Sequence, residues 1–442
     1  MNKKICILVL SLILTIPCLC LADSEVDIPV WSSQNNQLDK NSVLTDNTVK
    51  QGNISNQILQ GTQSNISNTT SSAINTSVSP VSDNPLGLTC GGAILIEQNS
   101  GQVLYDYNMH EKLRPASVTK VMTILLIMEA LDSGKIALTD KIPCSENASK
   151  MGGSQIWLDT REELTVDEML KAICVVSAND CTVAMAEYLE GSQESFVNKM
   201  NEKAKELGMN DTTFKNCHGI DEDGHFTSPY DIALMSRELL TKHPGITKYT
   251  TIYMDSLRDG KSQLVNTNKL VRNYEGCTGL KTGSTSVALF NLSASATRNG
   301  MSVIAVIMKA ESTNVRFAEA RKLLDYGFSN FQYKQVAKAG ESIGICNINK
   351  GIKNSTDAVF RNDFGFITKK SNTNEIEENI EIYDNIFAPI TKGQKIGTVS
   401  FTNSEGNVGT VDLISNENIQ KYSLISMTKN IYKKWFTLLR KS

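Results

Sequence analysis

Apolar positions are unevenly spread along the 442 residues. A first apolar run, Ile5 to Ile16, follows Lys3 and Lys4 and is succeeded by the small-residue site Cys20-Leu21-Ala22. A basic start, a short apolar stretch and a small-residue site make up the layout of a secretory signal peptide, with cleavage expected after Ala22. The run falls short of the roughly 20 apolar residues that span a bilayer. From Asp23 to about Asn84 the apolar period disappears into Asn, Ser, Thr and Gln, as in Gly61-Thr-Gln-Ser-Asn-Ile-Ser-Asn. Such a segment buries too little surface to offset its ordering entropy, and it reads as a flexible spacer.

Regular patterning begins near Cys90. Gly92-Ala-Ile-Leu-Ile-Glu97 and Gln102-Val-Leu-Tyr-Asp-Tyr107 flank the turn residues Gln98 to Gly101, predicting a hairpin. Helical periods follow at about 117–133, 166–174, 180–190, 193–207 and 229–241, several closed by Gly or Pro. Strand patterns return at about 276–283, 287–297 and 301–309, and a helix is predicted from Asn314 to Gly327. Strands, helices, strands and a helix in that order imply an α+β domain in which one antiparallel sheet draws on both ends of the region and helices cover it. After Phe331 short alternating runs such as Ile380 to Tyr383 and Ile396 to Phe401 predict a small β-rich domain ending near Ile419. The expected organisation is a signal (1–22), a spacer (23–85), the α+β domain (86–332), the β domain (333–420) and a terminal helix (421–442).

That last helix is amphipathic. Leu424, Met427, Ile431, Trp435, Leu438 and Leu439 fall on one side, with Phe436 at its margin, and Lys429, Lys433, Lys434, Arg440 and Lys441 on the other. This is the pattern of a helix lying on an anionic membrane surface, although basic amphipathic helices also dock on proteins. Charge sharpens the point. The whole chain carries 44 Lys plus Arg against 47 Asp plus Glu, a formal −3, which argues against nucleic-acid binding as its business. Setting aside two signal lysines and six tail cations leaves residues 23–420 at a formal −11, against +6 for the tail. Seven cysteines lie beyond the signal, an odd number with no C-x-x-C pair, so neither a disulfide scaffold nor a zinc site is expected.

Three short motifs carry candidate chemistry. Ser117-Val-Thr-Lys120 opens an apolar helix, and the i, i+3 spacing lets the lysine amine reach the serine hydroxyl. A nucleophile at a helix N-terminus also has backbone N–H groups at hand for an oxyanion. Ser177-Ala-Asn179 falls at the break between two helices, where short polar groups can project into a cleft. Lys281-Thr-Gly283 lies on a predicted strand, offering a cation, a hydroxyl and, at the glycine, close backbone approach. Each has an ordinary reading too: an N-cap serine with a surface lysine, plain helix capping, a glycine-rich hairpin. Ser33-Gln-Asn35 and Ser82-Asp-Asn84 in the spacer show how little a lone S-x-N means. There is no G-x-S-x-G elbow, and the four histidines show no H-E-x-x-H spacing; His218 and His225 read as structural.

Together and in this order the motifs resemble the active-site set of the serine penicillin-recognising enzymes. Arg114 to Thr123, Asn216 to Asp221, His225 to Ala233, Gly279 to Thr285 and Arg316 to Phe328 extend the likeness to the low-molecular-weight penicillin-binding proteins that act as D-alanyl-D-alanine carboxypeptidases. Pro389 to Gly397 extends it more loosely into the β domain. The resemblance implies a transpeptidase/β-lactamase-like catalytic domain followed by a small β-rich one, and removal of the terminal D-alanine from a peptidoglycan pentapeptide through an acyl-enzyme on Ser117. It implies acylation by β-lactams, no cofactor or metal, and residence outside the cytoplasmic membrane with the last helix as anchor. By the same resemblance Lys120 takes the Ser117 proton, Ser177 relays one to the leaving D-alanine and Asn179 holds the substrate amide. Lys281 and Thr282 bind the free carboxylate, Gly283 lets substrate approach, N–H groups of Ser117 and Ser284 form the oxyanion hole, and Arg316 adds a second carboxylate contact. Bringing Lys120 from about 10.4 to about 7–8 takes roughly 4 kcal/mol. A Lys281 cation ~4–6 Å away supplies ~3–4 kcal/mol at an effective dielectric near 20, and burial adds to it. The rival readings are a β-lactamase, with Glu206 and Asn210 in an E-x-x-x-N spacing, and a non-catalytic penicillin-sensing or wall-binding protein on the same fold.

Overall fold

The computed structural model describes residues 84–371, 376–403 and 406–439. The expected signal, almost all of the spacer and the last three residues lie outside them. Strands β1 (Gly92–Glu97), β2 (Val103–Tyr107), β3 (Cys277–Thr285), β4 (Leu289–Arg298) and β5 (Met301–Ala310) form one sheet in the order β2-β1-β5-β4-β3, every neighbouring pair antiparallel. The sheet is thus built from both ends of the region, as the pattern predicts.

Both of its faces are covered, which is why β1 reads as a continuous apolar run. The two-residue side-chain period sends Ile94, Ile96, Ile304 and Val306 into one core with helices α1 (Lys120–Asp132), α2 (Val166–Val175), α3 (Asn179–Glu190), α4 (Gln193–Glu206) and α5 (Pro229–Lys242). Ala93, Leu95, Val303 and Ala305 point the other way, onto Phe317, Ala320, Leu323 and Leu324 of α6 (Thr313–Asn330). The result is three layers, helices–sheet–helix. Helix α1 is buried on nearly all sides, from Lys120 to Met128, so its sequence is apolar all round rather than striped.

Helix α6 runs directly into β6 (Phe331–Ala337), which pairs with β9 (Phe364–Lys369). Strands β7 (Ser342–Asn349), β8 (Ser355–Phe360), β10 (Glu377–Ile382), β11 (Ile386–Phe387), β12 (Lys395–Asn403) and β13 (Gly406–Ser415) make a six-stranded sheet in the order β10-β12-β13-β8-β7-β11. It has its own core around Cys346, Phe360, Val399, Phe401 and Leu413. Helix α7 (Leu424–Leu439) follows, and Leu424, Ile425, Ile431, Trp435 and Phe436 on it are exposed.

All seven cysteines after the signal are free, and six are buried. Burial pushes the thiols of Cys174 and Cys217 up to about 12, so they behave as small apolar core groups.

Candidate active site

The chain reaches α1 through a 3-10 turn, Ala116–Thr119, rather than starting the α-helix at Ser117. In 3-10 geometry residues i and i+3 eclipse, so Ser117 and Lys120 stand directly over one another. Lys120 Nζ lies 3.0 Å from Ser117 Oγ. Neither side chain behaves as a cap or a surface residue: Ser117 makes no capping bond, and Lys120 is fully buried.

The turn is held from three sides. Ala116 adopts a left-handed φ of 49°. Its carbonyl accepts from Thr119 Oγ1 at 2.8 Å, and that hydroxyl lies 2.9 Å from His225 Nε2. Because the Lys215 N–H donates to His225 Nδ1, the ring carries its proton on Nε2 and donates it to Thr119. Burial and the nearby Arg114 and Lys215 cations push His225 down to about 4, which keeps it neutral. Gly219, at φ 91°, presses on the turn from a second side, where an added Cβ would meet Ala116 O at 1.9 Å. Gly283 of β3 presses from the third, where a Cβ would lie 2.8 Å from Val118 N and 2.9 Å from Ser117 N. Glycine at 283 is therefore required by the approach of strand to turn.

Ser177 and Asn179 sit between α2 and α3. Helix α2 starts in a capping box of Thr165 and Glu168, and the chain leaves it through Ser177 at φ 66°. Capping does not account for either polar residue. The N-cap of α3 is Ala178, and Asn179 turns its amide inward, accepting from Lys120 Nζ at 2.6 Å and donating to Gly152 O at 2.7 Å. Ser177 Oγ is buried and has no hydrogen-bond partner among the described residues. Next to them, buried Asp180 accepts from Ile156 N and Leu158 N at 3.0 Å and so fixes the loop that supplies Gly152.

Lys120 Nζ has a third neighbour, the carbonyl of His218 at 2.7 Å. Two of its partners, Asn179 Oδ1 and His218 O, can only accept, since the Asn179 amide is oriented by its bond to Gly152. A neutral amine has two N–H groups and one lone pair, so these acceptors use both donors and leave the lone pair for the Ser117 hydroxyl. The environment favours that neutral form. Burial first, and the Lys281 cation second, hold Lys120 well below the usual lysine range. This reverses the weighting expected from the sequence, in which the cation supplied most of the shift. The physical reason lies in Lys281 itself, which is also buried and pushed down to about 7 by burial and by Arg316, so it carries its charge only part of the time near neutrality.

Lys281 Nζ donates to Thr282 O at 2.9 Å, and Thr282 Oγ1 donates to Thr267 Oγ1 at 2.7 Å. Ser284 is exposed one residue further along β3, the edge strand of the sheet, whose alternate backbone groups face away from β4. Arg316 approaches from α6. Its Nη1 lies 3.3 Å from both Gly283 O and Asn291 O, its ring neighbours are Phe290 and Phe317, and burial lowers it to about 10. It braces β3 through the backbone at Gly283.

The structure thus joins Ser117, Lys120 and Asn179 by direct contacts, sets Gly283 against the turn, and couples Lys281 to Lys120 electrostatically. Glu206 stands elsewhere, paired with Lys203 at 2.7 Å and two-thirds exposed. Sequence reasoning missed the His218 carbonyl, the Gly219 approach and the His225–Thr119 tie. A backbone acceptor leaves no residue-type signature. The spacing Asn216-x-x-Gly219 does carry a signal, since Asn216 Oδ1 accepts from Gly219 N at 2.7 Å and closes that turn.

Residues 79–312 match the D-alanyl-D-alanine carboxypeptidase family and residues 331–421 the C-terminal domain of penicillin-binding protein 5. D-alanyl-D-alanine carboxypeptidase DacF of Bacillus subtilis is 44% identical over 347 residues, which cover 78% of this chain and 89% of that protein. DacC of Escherichia coli is 32% identical over 337 residues, 74% of this chain and 84% of its own. The crystal structure of penicillin binding protein 5 from Haemophilus influenzae superposes with a TM-score of 0.62 at 31% identity, covering 76% of this chain and 98% of the other. A peptidoglycan synthesis regulatory factor, PBP3, from Streptococcus pneumoniae gives 0.66 at 26% identity, covering 75% and 100%. With its fold, its serine paired to a buried lysine and these relatives taken together, the chain belongs to the serine D-alanyl-D-alanine carboxypeptidases of the penicillin-binding protein family.

Proposed function

We propose that the chain removes the terminal D-alanine from a peptidoglycan stem pentapeptide through an ester on Ser117. The observation that carries this assignment of roles is the coordination of Lys120 Nζ, whose two obligate acceptors aim its lone pair at Ser117 Oγ. Lys120 takes the hydroxyl proton as Oγ bonds to the carbonyl carbon between the two D-alanines. N–H groups of Ser117 and Ser284 stabilise the oxyanion. The C–N bond then breaks, and Ser177, whose hydroxyl has no partner in the unliganded site, passes a proton to the departing D-alanine amine. Ser177 recovers its proton from Lys120; water then attacks the ester carbonyl, and Lys120 takes the water proton and passes it to Ser117 Oγ as the acid leaves, which restores the free enzyme. Asn179 orients the substrate amide, Gly283 admits it beside β3, and Lys281 with Thr282 holds the terminal carboxylate. Arg316 adds positive potential to that end, close enough to depress Lys281. A β-lactam presents the same acyl carbon and acylates Ser117.

A β-lactamase needs a base for rapid deacylation. Glu206 is committed to Lys203 at the surface and does not supply one. D-alanine release from a pentapeptide ending in D-Ala-D-Ala, measured for wild type and Ser117→Ala, tests the assignment. Release is expected from wild type alone; penicillin labelling without D-alanine release sinks it.

The chain is further read as exported by its first 22 residues and divided into spacer, catalytic domain (86–332), β domain (333–420) and terminal helix. The apolar face of α7, with Ile431, Trp435 and Phe436 exposed, suits an anionic leaflet. No helix among the described residues is long and apolar enough to cross a membrane, so the helix would lie on the surface. Deleting the residues after Met427 is expected to move activity from membranes to the soluble fraction.

A further inference from the structure

Beside the Ser177 loop lies an open cavity of about 570 Å³, lined by Gln155, Trp157, Val176, Arg258, Lys261 and neighbouring residues of the hairpin at 254–265. Val176 precedes Ser177, so the cavity shares a wall with the catalytic loop.

Trp157 is the unusual member. Its side chain is 76% exposed, although indole is among the costliest groups to leave in water. A mobile loop would let the ring fold back onto the protein. Here the backbone that carries the ring is fixed. The N–H groups on either side, at Ile156 and Leu158, are both bound to Asp180. Arg258 donates to Ile156 O at 2.9 Å and to Trp157 O at 3.4 Å, and is itself held by Glu162. Trp157 adopts a left-handed φ of 56° within this clamp. Opposite it the hairpin turns through three left-handed residues, Arg258, Asp259 and Gly260, and presents Lys261. Lys261 is exposed and takes part in no side-chain ion pair or hydrogen bond among the described residues. The charged residues lining the cavity are Arg258 and Lys261, with no acid.

An aromatic ring held out over a cavity of one charge sign, next to a catalytic loop, is built for an anionic chain with apolar stems. We propose that this cavity is the subsite for the stem-peptide residues preceding the two D-alanines, whose free carboxylates pair with Lys261 and whose aliphatic portions pack on Trp157. The inference rests on the carboxypeptidase reading and names the part of the substrate that distinguishes wall peptide from a minimal D-alanyl-D-alanine.

The test uses the full chain and two substrates: a diacylated tripeptide ending in D-Ala-D-Ala with no free side-chain carboxylate, and a pentapeptide carrying free carboxylates upstream. Wild type is expected to favour the pentapeptide in kcat/KM. Trp157→Ala is expected to lose that preference by about tenfold through KM, and Lys261→Glu by about fivefold, with tripeptide turnover and penicillin acylation of Ser117 within twofold of wild type. Added salt should erode the wild-type preference and, by screening the new like-charge repulsion, partly restore that of Lys261→Glu. Equal losses on both substrates, or an unchanged pentapeptide preference in both variants, overturn the subsite. Absence of D-alanine release from either substrate by wild type instead removes the carboxypeptidase reading on which it stands. Should Trp157→Ala fail to fold, the exposed Lys261→Glu decides alone.

Discussion

The three-layer region and the C-terminal β region handle buried polar groups in opposite ways. In the β region the buried polar side chains among the described residues are Thr356 and Ser415, which lie 3.1 Å apart, and Ser415 also donates to Glu417 O. In the three-layer region two lysines and an arginine are buried, and Ser177 Oγ and Arg316 Nε have no partner. Unpaired buried polar atoms cost roughly 1–3 kcal/mol each, so a region that keeps them is spending stability on something other than its own fold. The contrast separates a part of the molecule built to be stable from a part built to react.

Lys120→Met should break the contrast most completely. It removes the amine while keeping an unbranched buried side chain, and D-alanine release and penicillin acylation are expected to fall by about 10³ to 10⁴. The melting temperature should fall modestly, because Asn179 Oδ1 and His218 O lose their donor even as a costly buried amine gives way to an apolar group. Gly283→Ala comes next. The added methyl would collide with the backbone at Val118, Pro115 and Ser117, shifting β3 from the nucleophile, and kcat/KM should drop by on the order of 10² with a far smaller change in stability.

The two lysines then sharpen the comparison by pH. Lys120 must be neutral to accept a proton, so activity rises with pH through its depressed pKa. Lys281 must be charged to hold a carboxylate, and its free-enzyme value of about 7 places a falling limb in kcat/KM above neutrality, about tenfold per pH unit. Lys281→Arg, which stays charged, should abolish that limb while lowering the maximum. His218 and His225 do not contribute to the profile between pH 5 and 8, since burial holds them down to about 3 and about 4. The smallest effect belongs to the β region. The paired change Thr356→Val with Ser415→Ala removes both partners together and should cost less than about 1 kcal/mol by denaturant unfolding, with catalysis unchanged.

Much of this was legible in residue order. The two-residue alternation and the sequence of strands and helices foretold the sheet assembled from both ends, because burial on both faces writes itself as apolar runs. Two of the three motifs hold the residues that meet at Lys120, because side-chain chemistry at fixed spacing is a local property. What stayed hidden was carried by backbone atoms and by long-range approach. The His218 carbonyl, the 3-10 form of the Ser117 turn and the bracing of Gly283 by Arg316 depend on segments about 30 to 170 residues apart. The ranking of causes at Lys120 was hidden for a related reason. Burial is a sum over the whole fold, whereas one neighbouring charge can be read from a motif.

The glycines that flank the Ser117 turn have a consequence for antibiotic escape. On two sides of the nucleophile, at positions 219 and 283, no side chain of any kind fits without moving the nucleophile itself. A lineage under β-lactam selection therefore cannot remodel those walls one residue at a time and keep its wall chemistry. Stepwise variation is channelled to the rim, where Trp157 and the hairpin bearing Lys261 have open solvent in front of them.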